Sequence, residues 1–208
     1  MDAITRYIAI FSTVPSFAYV VYRWNRFRLA GPVALKWVVV LRFGGEMVGL
    51  LSLNLMPNNL PVFGVYALLE CLVMVNLFLA FNGQIYRKVL YLLAATIGLY
   101  LLFQLAIKPT VYPTIARLIQ AVFITVLLAV HLVRAAIVTL MIRTYEFLAL
   151  VGLFFFYFTS ILNVYGFHLL PQSFIKVIYI QHYLFSAGAN LFLLFALYHY
   201  YQYYAQQH

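Results

Sequence analysis

The feature that most constrains this chain is its succession of long apolar stretches, parted by short turns whose charged residues are all basic. A stretch of ~20 apolar residues is the length at which a helix crosses the hydrocarbon of a bilayer. No water is available there, so the backbone must satisfy its own hydrogen bonds, and such stretches fold as helices. The 208 residues hold about seven stretches of that length. The predicted spans are residues 3–22, 33–54, 62–82, 89–107, 114–134, 145–165 and 173–201. The expected fold is all-α: a polytopic membrane protein with seven transmembrane helices, forming a single domain over residues 1–208.

Charge decides between this reading and a soluble one. Soluble domains carry roughly 25% charged residues, whereas this chain carries 8% and is 66% hydrophobic. The net charge of +9 would suggest nucleic acid in a soluble protein. Here it reflects basic loops beside anionic headgroups, so membrane lipid and no nucleic acid is expected as partner. Residues 3–22 lack a convincing basic leader and are as long as a span, so they are read as a retained first helix.

Lys/Arg placement sets the orientation. Arg23, Arg26, Arg28, Lys36, Arg87, Lys88, Arg134 and Arg143 fall on one side, and Arg6, Lys108, Arg117 and Lys176 on the other. The first, richer side is cytoplasmic, which puts the N-terminus outside and the C-terminus inside. Pro15 is an expected kink. Gly31-Pro32, Met56 through Pro61, Asn82-Gly83, Lys108-Pro109 and Pro113 punctuate the spans. The tyrosine-rich tail from Tyr198 to Tyr204 suits an interfacial aromatic belt.

A parallel 3+1+3 repeat is suggested by two pairs of segments. Ile4-Thr5-Arg6-Tyr7-Ile8 is similar to Ile115-Ala116-Arg117-Leu118-Ile119, and Asn76 through Phe81 to Asn190 through Phe195. Parallel repeats with a substrate site at their interface are a transporter design. The layout resembles that of small sugar transporters built of paired three-helix units, although the prolines those proteins place in several helices are absent from the second, fifth and sixth spans.

Ionisable residues inside apolar sequence are costly and mark a functional site by default. At 1.5 Å per residue, Glu46 and Glu70 lie ~12 Å below the outer ends of their spans, His182 ~13 Å and Arg42 ~18 Å. Arg6 and Arg117 lie higher, at ~5 Å. Helical phase places His182, Ser186 and Asn190 on one stripe, Arg117 and Gln120 on another, and Tyr66 with Glu70 on a third. Ser160 and Asn163 share a turn. A polar pocket open to the outside is expected, with Arg42, Glu46, Tyr66, Glu70, Arg117, Asn163 and His182 as candidate ligand-binding residues. Two ion pairs are candidates within it, Arg42 with Glu46 and Arg117 with Glu70. Either could instead fix helix packing. The run Phe154-Phe155-Phe156-Tyr157-Phe158 reads as packing.

The sequence leans away from an enzyme, although Glu46 and Glu70 could act as acid and base if burial in a cavity raised the pKa of one. There is no zinc-protease, nucleophile-elbow or phosphate-loop motif. The five histidines have no metal-ligand spacing, the sole aspartate is Asp2 and the sole cysteine is Cys71. No catalytic residue, metal or cofactor is expected. The stretch Pro57-Asn58-Asn59-Leu60-Pro61, followed by Tyr66 and Leu68-Leu69-Glu70, resembles small uncharacterised seven-span bacterial inner-membrane proteins. That resemblance implies a bacterial inner membrane and attaches no activity to any residue. Three functions fit: a ligand-sensing or receptor-like module that binds a small molecule and works through a cytoplasmic or membrane protein partner, a small-molecule or proton-coupled transporter, and a structural subunit of a membrane complex.

Overall fold

The computed structural model describes residues 3–26, 30–55, 60–82, 86–108, 114–137, 143–169 and 171–205. Within them the chain is helical almost throughout: α1 (Ala3–Tyr22), a short 3-10 turn (Trp24–Arg26), α2 (Ala30–Leu55), α3 (Leu60–Asn82), α4 (Arg87–Ile107), α5 (Thr114–Ile137), α6 (Thr144–Leu169) and α7 (Gln172–Ala205). Five of these helices contain stretches long and apolar enough to cross a membrane: Gly64–Asn82, Arg87–Ile107, Thr114–Arg134, Thr144–Val164 and Lys176–Tyr203. This fits an integral membrane protein. In α1 the apolar stretch whose side chains are described is Tyr7–Tyr22, and α2 carries Lys36, Arg42 and Glu46 within its run.

The helix ends follow local chemistry. Gly31 and Pro32 fall in the first turn of α2, and Pro61 in that of α3, where a missing backbone N–H costs no helical bond. At the end of α3, Asn82 Nδ2 donates back to the Phe78 carbonyl at 3.0 Å. Tyr86 opens α4 in the left-handed region, with φ of 64°. The expected turn residues 56–59, Gly83, Pro109 and Pro113 lie outside the described residues.

Helices adjacent in sequence pack side by side, and α1 closes the ring against α7. Helix α3 also reaches α5, which leaves α4 on the outside of that pair. Accordingly α4 buries only the stripe Ala94, Gly98, Leu101 and Leu105 and exposes Leu92, Leu99 and Phe103. Small residues set the close approaches, as expected where lipid removes the hydrophobic drive between helices. A Cβ on Gly98 would run into Leu68 of α3, and one on Gly152 would meet Phe192 of α7. The apolar core joins all seven helices through residues such as Val20, Leu35, Val75, Ala94, Ile124, Leu153 and Leu197. Through the same interior runs a set of buried polar groups: Thr13, Ser16, Arg42, Glu70, Gln120, Ser186 and Asn190.

Candidate functional site

Glu70 is 3% exposed, so its carboxylate depends on protein donors. Oε1 accepts from Tyr66 OH, one turn earlier on α3, at 3.4 Å and from Tyr157 OH of α6 at 2.8 Å. Oε2 accepts from Arg117 Nη1 of α5 at 3.1 Å and from Gln120 Nε2 at 2.9 Å. Arg117 and Gln120 lie three residues apart on one face of α5, and Arg117 also donates to Gln120 Oε1. Gln120 Nε2 further donates to the Ala67 carbonyl at 2.9 Å. Of the two expected ion pairs, Arg117–Glu70 forms, at the edge of the core, with the arginine side chain 26% exposed. Glu70 does not face open space as expected. Its lone pairs are filled from three helices.

A second centre forms around Arg42, 5% exposed on α2. Its Nε donates to Asn190 Oδ1 at 3.0 Å and its Nη2 to Ser186 Oγ at 3.2 Å. Ser186 and Asn190 are one turn apart on α7, so a single face of that helix serves both nitrogens. Asn190 Nδ2 in turn donates to Ser12 Oγ at 2.8 Å, and Ser16 Oγ donates to the Asn190 carbonyl at 3.0 Å. The guanidinium lies 3.9 Å from the centroid of the Phe156 ring on α6. Cation–π contact of this kind contributes on the order of 0.5–2 kcal/mol. Nη1 is sealed from solvent and hydrogen-bonded to nothing among the described residues.

Adjacent residues of α6 tie the two centres together. Phe156 lies under Arg42, and Tyr157 donates to Glu70. His182 of α7 sits with its ring centroid 5.5 Å from that of Phe156, within Coulombic reach of both Arg42 and Arg117. Its Nδ1 is likewise sealed and bonded to nothing among the described residues. The outcome is one polar core drawn from α1, α2, α3, α5, α6 and α7. Arg42 Nη1 and His182 Nδ1, on residues that both approach the Phe156 ring, have no hydrogen-bond partner among the described residues.

The candidate residues therefore divide. Arg42, Tyr66, Glu70, Arg117 and His182 come together. Glu46 is half-buried one turn beyond Arg42 and electrostatically close to Tyr66. Asn163 lines a different feature, a groove of about 190 Å³ between α6 and α7 shared with Phe155, Phe158, Leu162, Gln181 and Phe185. The side chain of Arg6 lies outside the described residues. Phe156, Tyr157, Ser12 and Ser16 join the core without having been singled out by sequence. A signal existed for the serines, whose i, i+4 spacing gives a polar stripe in an apolar helix. None existed for Tyr157 within its phenylalanines.

Among the described residues no group of three or more His, Cys, Asp or Glu side chains could hold a metal ion. Basic and aromatic residues meet at the opposite end of the helices. Arg23 lies 4.4 Å from the Tyr22 ring and 4.2 Å from that of Tyr201, and Arg143 lies 5.4 Å from Tyr203. The tyrosines of the tail thus continue α7, with Tyr200 buried against Tyr145 at 5.3 Å. No family model matches the chain, and no curated protein or solved structure matches it either.

Proposed function

We propose that this is a seven-span protein of a bacterial inner membrane, N-terminus outside and C-terminus inside, whose polar core binds a small polar ligand and reports it to a protein partner. The observation that carries the reading is the incomplete bonding of Arg42. Leaving a buried charged donor unmatched costs several kcal/mol in a dry interior, and a stability role alone is served better by a filled network such as that of Glu70. Nη1 of Arg42 and Nδ1 of His182 are donors or acceptors held ready between α2, α6 and α7. A ligand that matched them would draw those helices into one arrangement, and a change in helix packing is a signal that short basic loops can pass to a partner.

The transporter reading rests on a different observation. The contacts α1–α2, α2–α3 and α1–α7 correspond one for one to α5–α6, α6–α7 and α5–α3. That is the neighbour pattern of two parallel three-helix units about a pseudo-two-fold, with the polar core at their interface. Reconstitution separates the readings. Ligand-dependent capture of an effector by the full chain, without solute flux into liposomes, supports sensing. Flux that is lost in Glu70→Gln supports transport and refutes sensing as the primary role.

A further inference from the structure

Lys36 lies on the second turn of α2 and is 7% exposed, its stem packed inside the protein. Its ammonium has no hydrogen-bond acceptor among the described residues, and its contacts are aromatic faces. Nζ lies 3.9 Å from the Trp24 ring centroid and 5.8 Å from that of Trp37. The two indoles meet edge to face at 5.7 Å and are 39% and 45% exposed. An indole N–H can only donate, and neither has an acceptor among the described residues. Three donors, one of them fully charged, therefore gather at one spot at the end of the bundle. Arg23 stands next to Trp24 in the chain, with its Nε sealed and bonded to nothing among the described residues.

The surroundings select the ligand. Tryptophan favours the headgroup level of a membrane because its body is apolar and its N–H is polar. A lysine with a buried stem holds its charge at that same level. This end of the molecule carries Arg23, Lys36, Arg87, Lys88, Arg134 and Arg143 against the single described acid Glu146. An acceptor that satisfies all three donors must be anionic and sit at the interface. We infer that Lys36, Trp24 and Trp37 form a binding site for the headgroup phosphate of an anionic phospholipid. The lysine ammonium neutralises the phosphate, and the indoles donate to its oxygens while their rings lie against the glycerol region. This site is independent of the polar core and of the role proposed for it.

Trp24 and Trp37 are the chain's only two tryptophans, so intrinsic tryptophan fluorescence reports on this site alone. The experiment reconstitutes the full chain in phosphatidylcholine vesicles and titrates in phosphatidylglycerol or phosphatidylcholine with brominated acyl chains. Phosphatidylglycerol is expected to quench with about fivefold higher apparent association, the preference that one basic residue near the surface supplies. In Lys36→Gln the preference is expected to fall to about one, and Lys36→Arg is expected to keep it. Arg87→Gln, away from the indoles, is expected to leave it unchanged. Equal quenching by the two lipids in the unmodified chain overturns the proposal, as does an undiminished preference in Lys36→Gln. Equal quenching by the two lipids, together with a shift of tryptophan emission by millimolar inorganic phosphate alone, would assign the site to free phosphate and overturn the lipid. Should Lys36→Gln fail to fold, the comparison between lipids in the unmodified chain still decides.

Discussion

Replacing Glu70 with leucine tests the geometry where it is most fully bonded. The side chain accepts from Tyr66, Tyr157, Arg117 and Gln120, and these four donors do not lose equally. Tyr157 is 3% exposed, so its hydroxyl would be stranded, a cost of about 1–3 kcal/mol. Gln120 keeps the Ala67 carbonyl, which limits its loss. Arg117, with a quarter of its side chain exposed, can turn toward the surface and recover some solvation. The Tyr66 bond at 3.4 Å is long and contributes little. Breaking a buried pair from one side typically costs 3–5 kcal/mol. The partial exposure of Arg117 places Glu70→Leu near the lower end, at ~3 kcal/mol. Tyr157→Phe removes one charge-assisted bond and should cost about 1.5 kcal/mol, whereas Tyr66→Phe should cost less than half of that. Reversible unfolding in mixed micelles measures all three. A loss below about 1 kcal/mol for Glu70→Leu would refute the reasoning, since the carboxylate would then not be the acceptor of this network.

Further expectations follow from single contacts. Gly45→Ala should destabilise by about 1–3 kcal/mol, because its Cβ would run into the Tyr66 ring, while Gly44→Ala, which meets nothing within 4 Å, should be close to neutral in the same unfolding assay. Cys71 has no exposed surface, so the folded protein in detergent should resist a maleimide and label only as it unfolds. Rapid labelling of the native protein would contradict the packing of α3.

The sequence revealed the phases of the helices better than their partners. His182, Ser186 and Asn190 are legible as one stripe because helical geometry alone fixes their direction, and the same holds for Arg117 with Gln120. Pairing across helices is another matter. Glu46 is the acid nearest to Arg42 in sequence, yet Asn190 and Ser186 of α7 supply bonds to the guanidinium from 148 and 144 positions away. No local rule contains that distance. Tyr157 is hidden for a different reason, since one hydroxyl in a run of phenylalanines has the same hydrophobic pattern whether it faces lipid or a carboxylate. Asn163 shares a turn with Ser160, but its place in the α6–α7 groove depends on how those helices are rotated, which apolar sequence on every side does not encode.

The polar core requires side chains of separate helices to meet in one interior, and a double-mutant cycle between Arg42 and Asn190 tests this most directly. Arg42→Leu, Asn190→Leu and the double variant are compared by equilibrium unfolding of the membrane-reconstituted chain. Contact at 3.0 Å predicts a coupling on the order of 1–2 kcal/mol, with the double variant less destabilised than the sum of the two singles. Additivity within about 0.3 kcal/mol would mean that α2 and α7 do not share this site, and the polar core would dissolve into unrelated side chains.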